Sequence, residues 1–402
     1  MRAMADDDDR LLTPAFVLVT SAALAYFVAL GILAPVLPRF VEDELGGGPL
    51  AVGSAVGAFA VSAALLRPVV GRIGDRRGRR VLVIGGGTIA GLSILAYELA
   101  TNVGTLIGLR LVTGMGEAAM FVGAATAVQD MAPPLRRGEA TSYFSVAVYG
   151  GLGFGPVIGD TVRDHFGFRS VWVAAALTCA VAVALAVRMP GPEEPAPASA
   201  PARASSSTMP RLARVLHPAA IKPGFILALS TTGYAGFSAF VPLYIDHIGV
   251  RSAGPVFAEY AAAVLVVRIA FARLPDRLGA VRGGTLALAL QAAGFAVIAG
   301  VGSAPGLYAG TLVYALGVSL LYPALFPLVV ARAPEEERSQ AIATFTLFFD
   351  VSQGLGAFVL GAVVSLGSER WAFAVAGVLD LVGFALLRAS AAQSRRLVPA
   401  IS

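Results

Sequence analysis

Apolar residues in this chain gather into long runs, and the polar and charged residues fall in short breaks between them. A run of about 20 apolar residues is what an α-helix needs to cross a bilayer. Twelve such runs are read, at 14–40, 52–70, 81–97, 104–128, 139–160, 169–188, 221–246, 253–272, 283–301, 305–330, 339–364 and 371–390. Many long runs predict helical spans and not a β-barrel, whose strands would be short and alternating. Pro35 and Pro38 interrupt the first run. One long break, Met189 to Ala220, is rich in Pro, Ser and Ala and reads as a linker. The expected organisation is a tail (1–13), a six-helix bundle (14–188), the linker (189–220), a second six-helix bundle (221–390) and a second tail (391–402).

Composition agrees. The 402 residues are 57% hydrophobic and 14% charged, with a mean hydropathy of +0.77. A soluble domain carries nearer a quarter charged, so the chain is expected to live in the lipid bilayer. A net charge of +5 could suggest nucleic acid, but the basic residues are spread over short breaks, so no nucleic-acid partner is expected. The single cysteine, Cys179, excludes a disulfide framework, and His165, His217 and His247 have no metal-ligand spacing. No metal or cofactor is expected. The acidic stretch Asp6–Asp9 has the wrong charge for a signal peptide, so the first run is expected to remain as a helix.

Arginine and lysine fall unevenly. With alternate breaks assigned to opposite sides, 22 lie on the side of the linker and tails, five on the other side, and Arg67, Arg110 and Arg268 within runs. The positive-inside rule places the linker and both termini in the cytoplasm of a cell (plasma) inner membrane.

The chain also repeats itself. Displaced by 201 residues, Arg67, Asp75, Arg76 and Gly78 fall on Arg268, Asp276, Arg277 and Gly279. Ala132-Pro133 falls on Ala333-Pro334, Ala140 on Ala341, and Gly153 and Gly155 on Gly354 and Gly356. An even number of spans per unit keeps both copies in one orientation. This is a parallel repeat about an axis along the membrane normal, with a ligand expected between the halves near the midplane.

The most charged break is Gly71-Arg72-Ile73-Gly74-Asp75-Arg76-Arg77-Gly78-Arg79-Arg80, with five arginines and one aspartate. It resembles the loop 2–3 signature of the major facilitator superfamily, with Ile and Gly standing where Leu and Ala are usual. Two further stretches strengthen the resemblance. Leu106-x-x-x-Arg110-x-x-x-Gly114-x-Gly116-Glu117 is similar to the superfamily's helix 4 motif, and Gly151-x-x-x-Gly155-Pro156-x-x-Gly159 looks like the helix 5 motif of its antiporters. Asp160 departs from the small residue usual after that last glycine. The resemblance implies an all-α integral membrane fold of twelve transmembrane helices in two pseudo-symmetric six-helix bundles. It further implies a secondary transporter, not an enzyme, and a role for Arg110 in proton coupling. Gly71, Gly74, Asp75, Arg76, Gly78, Arg79, Arg80, Asp130, Arg137 and Glu139 would form a charge network that locks the inner gate.

Residue chemistry adds to this. Arg110 and Glu117 stand seven apart, so they project within about 20° of each other on a helix. Opposite charges on one face inside a bilayer must pair or face water. Asp350 is the other acid deep in a run. Burial favours the neutral form of a carboxyl group, which makes Glu117 and Asp350 candidate proton carriers or partners for Arg110 or Arg268. Asp380, in the last run, is expected to serve structural hydrogen bonds instead. Tyr26, Phe121, Tyr149, Tyr234, Phe237, Tyr314 and Phe348 are candidate cavity aromatics. The expected function is proton-driven export of a small organic molecule, such as a drug, natural product or sugar-like metabolite, by a monomer. The alternatives are uptake of a sugar or organic acid with protons, and a membrane receptor or scaffold that transports nothing.

Overall fold

The computed structural model describes residues 11–133, 136–189, 216–271, 274–334 and 337–396. Twelve helices form among them. They are α1 (Pro14–Arg39), α2 (Pro49–Arg77), α3 (Arg79–Leu95) and α4 (Val103–Asp130). The run Arg137–Val187 is divided at Gly167, where φ is 76°, into α5 (137–166) and α6 (168–187). Then follow α7 (Pro218–His247), α8 (Gly254–Ala270), α9 (Leu274–Val301, bent at Gly279), α10 (Ala304–Val330), α11 (Arg338–Ser365) and α12 (Glu369–Arg396). The linker predicted at 189–220 lies mostly outside the described residues.

Local chemistry sets the helix ends. Thr13 caps α1 through Phe16 N at 3.2 Å, with Pro14 in the first turn. Asn102 and Thr105 form a reciprocal capping box at α4. Past Pro35 and Pro38, α1 loosens into a π-turn at Phe40–Glu44. The repeat is visible in the backbone. Gly78 (φ 87°) ends α2 and its counterpart Gly279 (φ 71°) bends α9, both in a left-handed region that a side chain disfavours. Asn102 and Ser303, also 201 apart, are both N-caps.

Helices of each half pack through small residues, which let backbones approach in a medium where lipid gives no hydrophobic drive. The α5 glycine motif meets α1. A Cβ on Gly155 would stand 2.6 Å from Gly31 Cα, and one on Gly151 would stand 2.6 Å from Phe27 C. The repeat preserves the joint, since Gly356 lies against Thr232, the counterpart of Gly31.

Two seams join the halves, α2 with α11 and α5 with α8. Both are tightest at the end opposite the basic loops. Gly53 and Gly57 meet the carbonyls of Ala357 and Gly354, while Gly254 meets Pro156 and Val157. Arg39 at the end of α1 pairs with Asp246 of α7 at 2.7 Å. Asp160 performs a cross-half cap: its Oδ2 accepts from Ser252 Oγ and from Gly254 N, each at 2.7 Å. At the other seam the counterpart of Asp160 is Gly361, which packs directly on Gly53. The residue that departs from the glycine motif is therefore a latch for α8. Asp160→Ala is expected to speed hydrogen exchange over 249–257, because the first amides of α8 lose their acceptor. Unchanged exchange there would remove the latch from the account.

Candidate functional site

Between the halves lies a cavity of about 650 Å³. Its lining runs from Phe59 and Ala63 on α2, through Tyr234 and Gln291, to Val128, Gln129, Thr141 and Ser145 near the basic ends of α4 and α5. The seams close at the end opposite the basic loops, and the lining reaches from Leu37 on α1 to the basic ends of α4 and α5. Its walls are largely apolar, with charge at five lining positions: Arg67, Arg110, Glu117, Arg268 and Asp350.

Arg67 organises that charge. Its Nη1 donates to Asp350 Oδ1 at 2.6 Å and to Oδ2 at 2.5 Å, and its Nη2 lies 3.7 Å from Glu117 Oε1. The guanidinium also lies over the Phe121 ring, 5.0 Å from its centroid. One arginine thus ties a carboxylate of its own half to one from the other half. Asp350 and Glu117 are 7% and 6% exposed, so the pairing operates where water screens little.

This corrects the expected pairing. Arg110 shares a helix face with Glu117 but makes no ion pair with it. Its Nε donates to Ala55 O at 3.0 Å, its Nη1 reaches Tyr97 Oη at 3.4 Å, and its plane covers Phe59 at 4.6 Å. Arg110 is held by a backbone carbonyl and aromatic rings, and Glu117 turns to α2 instead. Arg67 was legible as one of three arginines inside spans and as the repeat counterpart of Arg268. An arginine at bilayer depth marks a functional position by default, but its partner on α11 is invisible to periodicity within one helix.

Arg268, the counterpart of Arg67, donates from Nη2 to Tyr149 Oη at 3.0 Å and lies 4.5 Å from that ring's centroid. No described carboxylate pairs with it.

Of the seven predicted aromatics, Phe121, Tyr149, Tyr234 and Tyr314 line the cavity. Tyr26 and Phe237 are fully buried behind it, and Phe348 packs its ring against Gly224. Each is one step round its helix from a lining residue, Phe27, Ser238 and Phe349 respectively, and a step of one residue turns a helix face by about 100°. Tyr260 and Tyr322 also line the cavity. Asp380, expected to hold structural hydrogen bonds, is 0% exposed and neither carboxyl oxygen receives one. Ser230 lies beside it but donates to Gln291 Oε1 at 2.6 Å.

At the basic end, Arg79 Nε meets Asp130 Oδ2 at 3.2 Å, joining α3 to α4. Arg80 Nη2 donates to Val187 O at the end of α6. Glu139 pairs with Arg136, three residues away, rather than with the loop at 71–80. Gly74 is buried against Leu82, whereas Gly71 has open space and Arg76 is exposed. The side chains of Asp75 and Arg137 lie outside the described residues.

Two apolar helical halves around a charged central cavity define a multi-pass membrane protein built to hold a small solute between its halves. A sequence model of the Major Facilitator Superfamily matches residues 19–304 and 250–401. The chain belongs to this superfamily, and it is a transporter and not an enzyme. It is 26% identical over 377 residues to an uncharacterized MFS-type transporter of Salmonella typhimurium, covering 92% of this chain and 94% of that one. A Burkholderia mallei protein of the same description is also 26% identical, with 92% and 90% covered. Among solved structures, the fold matches the nucleoside transporter NupG (TM-score 0.74, 12% identity, 94% and 99% covered). It also matches the human organic anion transporter MFSD10 (TM-score 0.68, 20% identity, 93% and 99% covered).

Proposed function

We propose that this chain is a proton-coupled exporter, in which a small organic molecule leaves through the central cavity as protons enter. The observation that carries the reading is the Arg67 bridge to Asp350 and Glu117. Two carboxylates around one arginine carry a net negative charge when both are ionised, which leaves a place for one proton. A proton on Asp350 removes the charge that holds Arg67 to the second half. Because the bridge spans α2 and α11, its charge state bears on the same seam that must open in alternating access. A substrate that reaches these carboxylates competes with the proton, and competition for one site is what exchange requires.

Further features support the direction and the placement. The arginine excess at the basic end favours the cytoplasm for that end and for both termini, in the cell membrane. The seams then close on the outer side, away from the cytoplasm where export begins. The glycine motif at Gly151, Gly155, Pro156 and Gly159 keeps α5 against α1 during the rocking motion. Arg79 and Asp130, with Asp75, Arg137 and the loop glycines, would hold the inner gate when that end closes. The working unit is a monomer with protons and one small molecule as partners.

Proteoliposomes carrying an interior pH dye, screened with cationic drugs and sugars, test the reading. Substrate added on one side is expected to drive protons the opposite way, and Glu117→Gln or Asp350→Asn to bring that flux near background. Protons moving with the substrate would mean uptake and overturn the direction.

A further inference from the structure

The two cavity arginines, Arg67 and Arg268, are repeat counterparts with opposite surroundings. Each reaches a residue of the other half, and those residues, Asp350 and Tyr149, are themselves 201 apart. The counterpart of Glu117 is Val318, which also lines the cavity. The repeat therefore supplies one cation position in each half, both on the cavity lining, and only the first keeps its carboxylates. Around Arg67 the formal charge is −1. At Arg268 it is +1, and the guanidinium donates to the neutral Tyr149 hydroxyl. Tyr322 also lines the cavity and stacks on Phe326, with ring centroids 5.8 Å apart. Tyr260 and Tyr314, with ring centroids 5.8 Å apart, add an aromatic wall.

A dipolar cavity with aromatic walls selects a dipolar ligand with an apolar body. We propose that the cavity recognises a zwitterionic amphiphile, with its acidic group on Arg268 and Tyr149 Oη and its basic group at the Glu117–Asp350 pole. The proposal rests on the cavity being the substrate path, and it deepens the exchange reading. The basic group is what competes with the proton, and the acidic group gives Arg268 the anion it lacks. A guanidinium donates two parallel hydrogen bonds to a carboxylate, so the geometry favours a carboxylate, sulfonate or phosphate at that end.

The experiment is a binding titration of the full chain in nanodiscs with three probes sharing one indole: tryptophan (zwitterion), tryptamine (cation) and indole-3-propionate (anion). Tryptophan is expected to bind tightest. Arg268→Gln should weaken tryptophan and indole-3-propionate about tenfold or more, the worth of a charge-assisted hydrogen bond, while tryptamine stays within about threefold. Arg268→Lys should restore much of the ranking. Asp350→Asn should do the reverse, weakening tryptophan and tryptamine while sparing indole-3-propionate. An equal loss for all three probes in Arg268→Gln would make Arg268 merely structural and overturn the proposal. So would equal affinities in the native chain, or no binding of any probe at millimolar concentration. Binding is read without proton flux, so the two readings fail separately. The predicted ranking without proton movement overturns exchange alone, and proton flux with flat affinities overturns the dipolar site alone.

Discussion

Replacing Arg67 with glutamine is expected to abolish substrate-driven proton movement and to destabilise the protein by about 3–5 kcal/mol, the usual cost of removing one partner from a buried pair. The cost arises because Asp350 and Glu117 stay behind at 7% and 6% exposure with no cation between them. Either they remain charged in a poorly solvating interior, or they take up protons and cease to exchange them. Arg67→Gln with Asp350→Asn should recover part of the stability, because one of the two orphaned charges has gone and Glu117 remains, but not the proton movement. A double-mutant cycle on thermal unfolding in detergent measures this coupling, and independent, additive effects would show that the 2.5 Å contact adds little to stability. Arg110→Gln serves as the comparison. Arg110 is held by Ala55 O and two aromatic side chains and has no carboxylate to strand, so the penalty should be smaller.

Valine at Gly57 should act on conformation rather than on charge. A Cβ there would run into the carbonyl of Gly354 on α11, so the seam cannot close without shifting backbone. Overpacking of this kind costs about 1–3 kcal/mol, and every 1.4 kcal/mol moves a two-state ratio about tenfold. The expected result is loss of the conformation closed at the end opposite the basic loops, and a transporter trapped with that end open. Spin labels at Thr101→Cys and Arg251→Cys, on exposed loops of opposite halves, report it once the lone Cys179 is replaced by alanine. The distance distribution should lengthen in Gly57→Val and stay unchanged in Gly85→Val, where a Cβ meets open space. No lengthening in Gly57→Val would mean that the α2–α11 seam does not set the closed state.

Much of this was legible in the chain, and the rest was hidden for a definable reason. The helices were legible because each span satisfies its backbone hydrogen bonds internally, so length and hydropathy suffice. The break inside Arg137–Val187 falls at Gly167, between the runs read at 139–160 and 169–188. The repeat was legible as a 201-residue displacement, and Gly78 with Gly279 shows it in backbone angles. The site was legible in part. Glu117 and Asp350 stood out as acids in apolar runs, and they do line the cavity. Periodicity on α4 offered Arg110 as a partner for Glu117, and Arg268 stood as the alternative for either acid, but the structure pairs both with Arg67. Periodicity fixes which residues share a face of one helix, and it is silent on which face of another helix lies opposite.

By itself, then, the sequence determined the membrane-spanning helices, their duplication, the uneven basic loops and the set of charged residues at bilayer depth. Each follows from local composition or from spacing within one segment. The tertiary structure decided the pairing: Arg67 with Asp350 across the halves, Arg268 left to Tyr149, Asp160 capping α8, and the glycine seam that closes one end. The side-chain contacts among these join residues 94 to 283 positions apart, and the glycine seam of α2 with α11 joins residues further apart still. Only the packing of small residues, which sets how closely and at what register two helices meet, brings such groups within hydrogen-bonding distance.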